Sequence, residues 1–379
     1  MKKFLAVLLA VIMLLSVLTA CGVTENGTNV NNGNNAENNS SNNNESSSNS
    51  NNTNTNDKPN EDNTSDVVDV CEGNHILENS KCTVCGANFS SVSEDGLWFN
   101  MNDDMAGYTL MGGQSCKVTN IVIDYHNGLP VTAIADKALS FNGVIENITI
   151  GSTVKSIGTL AFYSSKVNSV TFEDNSTIEF IGDKAFANCF NLVTVDFGKN
   201  SSLETIGLEA FFWCTKLQSV EIPASLTNMG EYAFDNCTSL KSLTFEANSK
   251  LEVIPESAFA EAAIESLEIP ANVKSIGGGA FEENSFLKSL TFEEGSKLES
   301  IGNAAFSSCI ELAEVKIPNS VTSIASSAFL WSKLTSVIFE NPKGWKGDGI
   351  AIPASDLSNP QKAAEYLTSR DVEVGWTRD

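Results

Sequence analysis

Between residues 129 and 340 apolar and polar positions alternate in a pattern that returns every 22 to 25 residues. In one copy, Leu217-x-x-Val220-x-Ile222 sets apolar against polar side chains at a period of two, which predicts a short strand. Val220 and Ile222 then point to one side, and Ser219 and Glu221 to the other. Pro223 closes the strand because it has no N–H to give to a continuing ladder. Leu226 and Met229 turn back into the core, and Gly230-Glu231-Tyr232-Ala233-Phe234 predicts a short helical turn.

The same order recurs around Ala161-Phe162, Ala185-Phe186, Ala210-Phe211, Ala233-Phe234, Ala258-Phe259, Ala280-Phe281, Ala305-Phe306 and Ala328-Phe329, with Ala138-Leu139 as a degenerate first copy. Successive positions are 23, 24, 25, 23, 25, 22, 25 and 23 residues apart. A period in the twenties predicts an α/β repeat solenoid of about nine coils, each burying its apolar side only against its neighbours. Two kinds of copy alternate from the fourth coil onward. Those ending in Ile222-Pro223, Ile269-Pro270 and Ile317-Pro318 are short, and those ending in Phe-Glu (Phe172-Glu173, Phe245-Glu246, Phe292-Glu293) add a polar turn such as Glu294-Gly295-Ser296.

These units, with Asn127-Gly128-Leu129-Pro130-Val131-Thr132 at the entry and Phe339-Glu340-Asn341-Pro342-Lys343-Gly344-Trp345 at the exit, resemble the bacterial BspA-like leucine-rich repeats of surface proteins. The resemblance covers roughly residues 95 to 379. It implies a right-handed solenoid with a parallel sheet on the concave face, short helical turns on the convex side, and a role in adhesion or recognition. It carries no catalytic residues over, so it speaks to fold more than to function.

Solenoid ends need covers. Leu97-Trp98-Phe99 and Tyr108-Thr109-Leu110 predict an N-terminal β-hairpin cap, and Pro360 to Leu367 predicts a helix over the last coil, followed by Trp376. The organisation expected is a signal at 1–20, a tether at 21–66, a Cys/His segment at 67–90, the β cap at 91–128, the solenoid at 129–340 and a C-terminal cap at 341–379.

The start of the chain addresses its location. Met1-Lys2-Lys3 precedes an apolar stretch from Phe4 to Leu18, the layout of a secretory signal. Leu18-Thr19-Ala20-Cys21 has the form of a bacterial lipobox, which would place a lipid on Cys21 and hold the protein at the outer leaflet; the other reading is an ordinary signal. From Val23 to Asp66 eighteen of forty-four residues are Asn, and no Leu, Ile or aromatic occurs. That composition predicts a disordered tether with a reach of about 35 to 40 Å.

Cys71, His75, Cys82 and Cys85 follow within fifteen residues. Their C-x3-H-x6-C-x2-C spacing, ending in Cys85-Gly86, has the shape of a zinc knuckle closed by four protein ligands, hence one structural zinc. One disulfide plus a spare thiol is the other reading, since the protein is exported.

Charge narrows the partners. With 23 Lys and Arg against 47 Asp and Glu, the chain carries a formal charge of -24, which repels nucleic acid and leaves the lipid as the membrane contact. Catalysis has little to work with: His126 is the one His outside the Cys/His segment, no G-x-S-x-G elbow occurs, and no glycine-rich phosphate loop follows a strand. Cys189, Cys214, Cys237 and Cys309 each stand three residues after the repeat Phe, a slot that Ser165, Asn284 and Ser332 fill elsewhere, so a ladder of buried thiols is expected.

The outward strand positions make two polar rows. Ser219, Glu221, Ser242, Thr244, Ser266, Glu268, Ser289 and Thr291 are the candidate ligand-binding residues, suited to an extended extracellular peptide or glycan. The same small hydroxyls also serve a flat parallel sheet without any ligand. Trp213 and Trp331, just after the turn, are candidates off the sheet. The expectation is thus a non-enzymatic, monomeric, lipid-anchored surface protein that binds a protein or glycan. A structural spacer without a soluble ligand is the second reading, and a solute-capturing lipoprotein would want a closed pocket that a solenoid does not enclose.

Overall fold

The computed structural model describes residues 77–78, 81–82, 89–369 and 375–378. The described residues belong to a compact unit spanning Val67–Asp379. They form a β-solenoid of ten coils, each adding one long and, in most coils, one short strand to two parallel ladders.

The long strands run Asn120–Ile123, Asn147–Ile150, Ser169–Phe172, Thr194–Asp196, Ser219–Ile222, Ser242–Phe245, Ser266–Ile269, Ser289–Phe292, Glu314–Ile317 and Ser336–Phe339. Their inward side chains are buried and their outward ones mostly exposed, as the period-two pattern requires: Val220 and Ile222 are covered while Ser219 and Glu221 face solvent. The nine copies fall between successive long strands, from Ala138-Leu139 after the first to Ala328-Phe329 before the last, which is why ten strands form where nine copies are legible.

The second ladder is new relative to the sequence expectation. Where Met229 and its equivalents turn inward, two-residue strands such as Ser156–Ile157, Phe180–Ile181, Thr205–Ile206 and Asn228–Met229 pair in parallel, and Val253–Ile254, Ser275–Ile276, Ser300–Ile301 and Ser323–Ile324 continue the series. A glycine follows most of them because coils touch backbone to backbone there. A Cβ on Gly182 would lie 2.7 Å from the Gly158 carbonyl carbon and the Thr159 nitrogen.

Helical turns were expected around each Phe, and the structure has none between residues 89 and 353. Instead the segment is a run of overlapping turns locked to the next coil. Lys184, Phe186 and Asn188 donate their N–H groups to the Leu208, Ala210 and Phe212 carbonyls at 2.8 Å each. The alternate residues Ala185, Ala187 and Cys189 bond back three positions, to Gly182, Lys184 and Phe186. This alternation demands left-handed backbone on both sides of the Phe, with φ of 56° at Lys184 and 60° at Asn188. A helix would direct its N–H groups along its own axis, within the coil, and not sideways to the neighbouring coil.

Inside, Phe162, Phe186, Phe211, Phe234, Phe259, Phe281, Phe306 and Phe329 are fully buried and stack into one column. Successive centroids lie 4.7 to 5.5 Å apart with interplanar angles of 3 to 11°.

At the N-terminal end Ser90–Val92, Trp98–Met101 and Tyr108–Gly112 form an antiparallel ribbon, and its last strand runs parallel to Leu129–Ile134. The two expected hairpin segments thus pair. Asn127-Gly128, with φ of 49° and 80°, closes a tight hairpin between Tyr125–His126 and Leu129–Pro130. At the C-terminal end helices Ala354–Leu357 and Pro360–Thr368 follow; the second is capped by Asn359 and packs on Ser336–Phe339. Trp376–Arg378 returns to pair antiparallel with Ser323–Ile324 and Trp345–Gly347, and Trp345, Trp376 and Phe339 pack together.

Candidate functional site

The long-strand face is not one even sheet. Ser219–Ile222 pairs over its full length with Ser242–Phe245, Ser266–Ile269 with Ser289–Phe292, and Glu314–Ile317 with Ser336–Phe339. Between these doublets the ladder lapses. Only Thr194 meets Ser219, only Ser242 meets Ser266, and Ser289–Phe292 and Glu314–Ile317 fall in separate sheets.

Proline causes the lapse. Within a doublet the N–H of Glu246, Glu293 or Glu340 bonds to the Ile222, Ile269 or Ile317 carbonyl at 2.9, 3.0 and 3.1 Å. At the equivalent place on the junction before each doublet stand Pro223, Pro270 and Pro318, which have no N–H. The carboxylate of the following Phe-Glu coil then takes the next donor along the chain. Glu246 Oε2 accepts from Ala224 N–H (2.9 Å), Glu293 Oε2 from Ala271 N–H (2.8 Å) and Glu340 Oε2 from Asn319 N–H (2.9 Å). The alternation of Ile-Pro and Phe-Glu copies, read from sequence as a difference in loop length, is therefore the rule that pairs the coils two by two.

A groove opens at each lapse. The first, about 640 Å³, lies at the junction before Ser219–Ile222 and is lined by Thr194, Asp196, Ser219, Glu221, Ser242 and Thr244 among others. The second, about 270 Å³, takes Thr244, Ser266, Glu268, Ser289 and Thr291. The third, about 690 Å³, adds Lys316, Pro318 and Glu340 to Thr291 and Glu293. All eight candidate residues from the sequence are exposed, and the first two grooves bring them together. Sequence reasoning missed the prolines as the cause, and it missed Asn120, Val122, Asn147, Thr149 and Ile338 as outward strand positions.

These grooves offer hydroxyls, carboxylates and two ammonium groups, Lys199 in the first and Lys316 in the third. Lys316 Nζ sits 2.6 Å from Glu340 Oε1, and its hydrogen bond, with that from Asn319 N–H, holds the Glu340 carboxyl below the usual range. No nucleophile–base pair lines them. The nearest thing to one lies elsewhere, where His126 Nε2 is 2.7 Å from Ser91 Oγ. That ring stacks on Phe99 at 4.1 Å and meets the edge of Tyr108 at 4.9 Å, which makes it a pin between the ribbon and the first coil. Burial lowers its pKa.

The thiols form the expected buried ladder. Cys189 Sγ donates to the Phe162 carbonyl at 3.1 Å, Cys214 to Phe186 at 3.2 Å, Cys237 to Phe211 at 3.4 Å and Cys309 to Phe281 at 3.4 Å. In one coil without a thiol Asn284 Nδ2 reaches the Phe259 carbonyl at 2.8 Å. Burial pushes Cys189 and Cys309 up to about 12 and raises Cys214 and Cys237 as well.

Cys21, Cys71, His75 and Cys85 lie outside the described residues. Cys82 ends the strand Lys81–Cys82, which pairs antiparallel with Leu77–Glu78. Among the described residues no group of three or more His, Cys, Asp or Glu could hold a metal, and no helix is long and apolar enough to cross a membrane.

Residues 132–260 and 252–344 match the model of the BspA type leucine rich repeat region, in six copies covering more than half of the chain. The chain belongs to the BspA-type leucine-rich-repeat family. Membership supports a binding or recognition role for the BspA-type solenoid. Solved structures similar to the BspA-type chain include a leucine rich cell surface protein from Faecalibacterium prausnitzii, with 22% identity, 66% of this chain and 89% of that chain covered, and a TM-score of 0.28. The leucine rich repeat protein of T. pallidum has 21% identity, with 61% and 92% covered and a TM-score of 0.40. The pneumococcal vaccine antigen PcpA has 21% identity, with 67% and 82% covered and a TM-score of 0.39. No curated protein matches the chain.

Proposed function

We propose that this is an exported surface protein, lipid-anchored through Cys21, whose long-strand face recognises an extended extracellular protein or glycan without catalysis. The observation that carries the reading is the recurrence of a polar groove at every second coil. Grooves recurring in register suit a ligand that is itself a repeating chain, because each repeat then meets a related set of hydroxyls and carboxylates. Weak contacts at three such sites sum along one polymer. The N-terminal ribbon and the C-terminal helix act as covers for the solenoid ends, and Cys71, His75, Cys82 and Cys85 hold one structural zinc between tether and solenoid.

The test is a glycan and extracellular-matrix array probed with the chain carrying Cys21→Ser, beside a variant that also carries Ser219→Arg, Glu221→Lys, Ser242→Arg and Thr244→Lys. Binding by the first and not the second supports recognition on this face. Binding by neither, with both proteins folded, moves the chain to the spacer class. Membrane fractionation of Cys21→Ala tests the anchor separately: protein that stays in the membrane pellet overturns it.

A further inference from the structure

A different groove lies across the turn segments of the first four coils, on a face the long strands do not share. Its volume is about 470 Å³, and it runs from Phe141 past Tyr163 and Asn188 to Phe212. At one strand spacing per coil that is about 15 Å of length. Leu160 and Ala187 also line it, and Lys184 Nζ with Glu209 Oε1, 3.3 Å apart, supply the charged side.

Of these rings Phe141 is the one that folding leaves exposed. Phe141 is 62% exposed and holds a left-handed backbone with φ of 56°. Other coils fill that slot with Ser164, Asn188, Asn236 or Ser308, with Glu261 or Glu283, and with Trp213 and Trp331, of which Trp331 is 55% exposed; Asn in particular tolerates this conformation. An exposed ring at this slot returns little core burial, and Phe141 adds to that a place in a groove beside a second ring, Tyr163, which is the combination that suits contact with a ligand.

The chemistry of the groove alternates between ring surfaces and hydrogen-bonding groups. Phe141 and Tyr163 meet nearly at right angles, 78° with centroids 5.5 Å apart, so the groove offers both a face and an edge. Asn188 Nδ2 donates to Tyr163 Oη at 2.9 Å and fixes that ring, and the Asn188 amide adds a hydrogen-bonding group to the lining. A sugar ring has the complementary layout, an apolar C–H face that rests against the electron-rich face of an aromatic ring and a belt of hydroxyls that give and take hydrogen bonds. An extended peptide would want an open strand edge, and there is none here: Lys137, Leu139 and Phe141 already spend their N–H groups on the Thr159, Ala161 and Tyr163 carbonyls at 2.9, 2.7 and 2.8 Å.

We propose that this turn-face groove is a carbohydrate-binding site that takes a short oligosaccharide. It stands on a separate face from the long-strand grooves, so either reading survives the failure of the other.

The experiment is isothermal titration of the full chain carrying Cys21→Ser with a panel of chitotetraose, cellotetraose, maltotetraose and sialyllactose at millimolar concentration. Saturable binding of at least one probe is expected, weakened about fivefold to tenfold by Phe141→Asn. Asn suits the left-handed backbone, so the unfolding midpoint of Phe141→Asn should equal or exceed that of the parent, which separates lost contact from lost fold. Absence of saturable binding for every probe overturns the proposal. So does full affinity in Phe141→Asn.

Discussion

Glu246 Oε2 accepts a hydrogen bond from Ala224 N–H at 2.9 Å across one coil boundary, one residue after Pro223 has withdrawn its own donor from the boundary before it. A single proline and a single glutamate, about one coil apart in sequence, thus decide where the long-strand sheet closes and where it opens. Glu246→Ala removes the acceptor and leaves the Ala224 N–H to water. The loss should be about 1 to 2 kcal/mol, read as a lower denaturant midpoint at unchanged slope. An unchanged midpoint would show that the carboxylate does not hold the doublet together. Pro223→Ala works the other way: it restores an N–H at the lapse, so hydrogen exchange should report a new protected amide at position 223 and the groove before it should narrow.

The Phe column carries the core from end to end, and each ring touches the one before and the one after. Phe234 is flanked by Phe211 at 4.9 Å and Phe259 at 5.3 Å. Phe234→Ala opens a cavity that coils tied to one another by inter-coil hydrogen bonds cannot fully collapse around, at a cost of about 3 to 5 kcal/mol. Because stability in a solenoid is a sum over neighbours, the break should also split one thermal transition into two. Calorimetry of the variant checks this, and a single transition of parental midpoint would mean that the stacking is incidental.

Much of this was legible from residue order. Val220 and Ile222 announce the long strand, Ala233-Phe234 announces the column, and Cys214 and Cys237 announce the thiol ladder, because burial against a neighbouring copy demands the same residue type at the same place. What was not legible depended on backbone rather than side-chain chemistry. Gly230-Glu231-Tyr232-Ala233-Phe234 reads as helical because its local spacing allows a turn, yet the winning term is the bond each alternate N–H makes to the next coil, which no single copy reveals. The groove-forming role of Pro270 was hidden for the same reason: its missing donor matters only when Phe245 of the coil before it lies alongside. Phe141 stood in a degenerate copy where the register had not yet settled, and its exposure became visible only in three dimensions.

The buried thiols should be chemically silent. Cys116, Cys189, Cys214, Cys237 and Cys309 are free and buried, and burial raises the pKa of four of them, so the thiolate is scarce and out of reach. Treatment of the native protein with iodoacetamide at pH 8, followed by digestion and mass spectrometry, should find these five unmodified, and the same treatment in guanidinium should modify all five. Labelling of Cys214 in the native state would show that the coils open locally on the timescale of the reagent.

Asp235 is the residue through which stability should respond to pH. It is 8% exposed on the turn face, and burial raises its carboxyl to about 7, with Glu261 and Glu209 adding repulsion and the Asn236 side chain opposing it at 3.0 Å. A carboxyl whose folded pKa exceeds its unfolded value binds more protons when folded. Stability from this group is therefore present in full below about pH 4, the unfolded value, and is lost as pH rises toward about 7, the folded value. Asp235→Asn abolishes the penalty of burying the charge while keeping the shape. It should raise stability at pH 8 by on the order of 2 kcal/mol and change it little at pH 4. Urea midpoints of both proteins across that range give the answer, and parallel curves would show that Asp235 keeps an ordinary carboxyl in the folded chain.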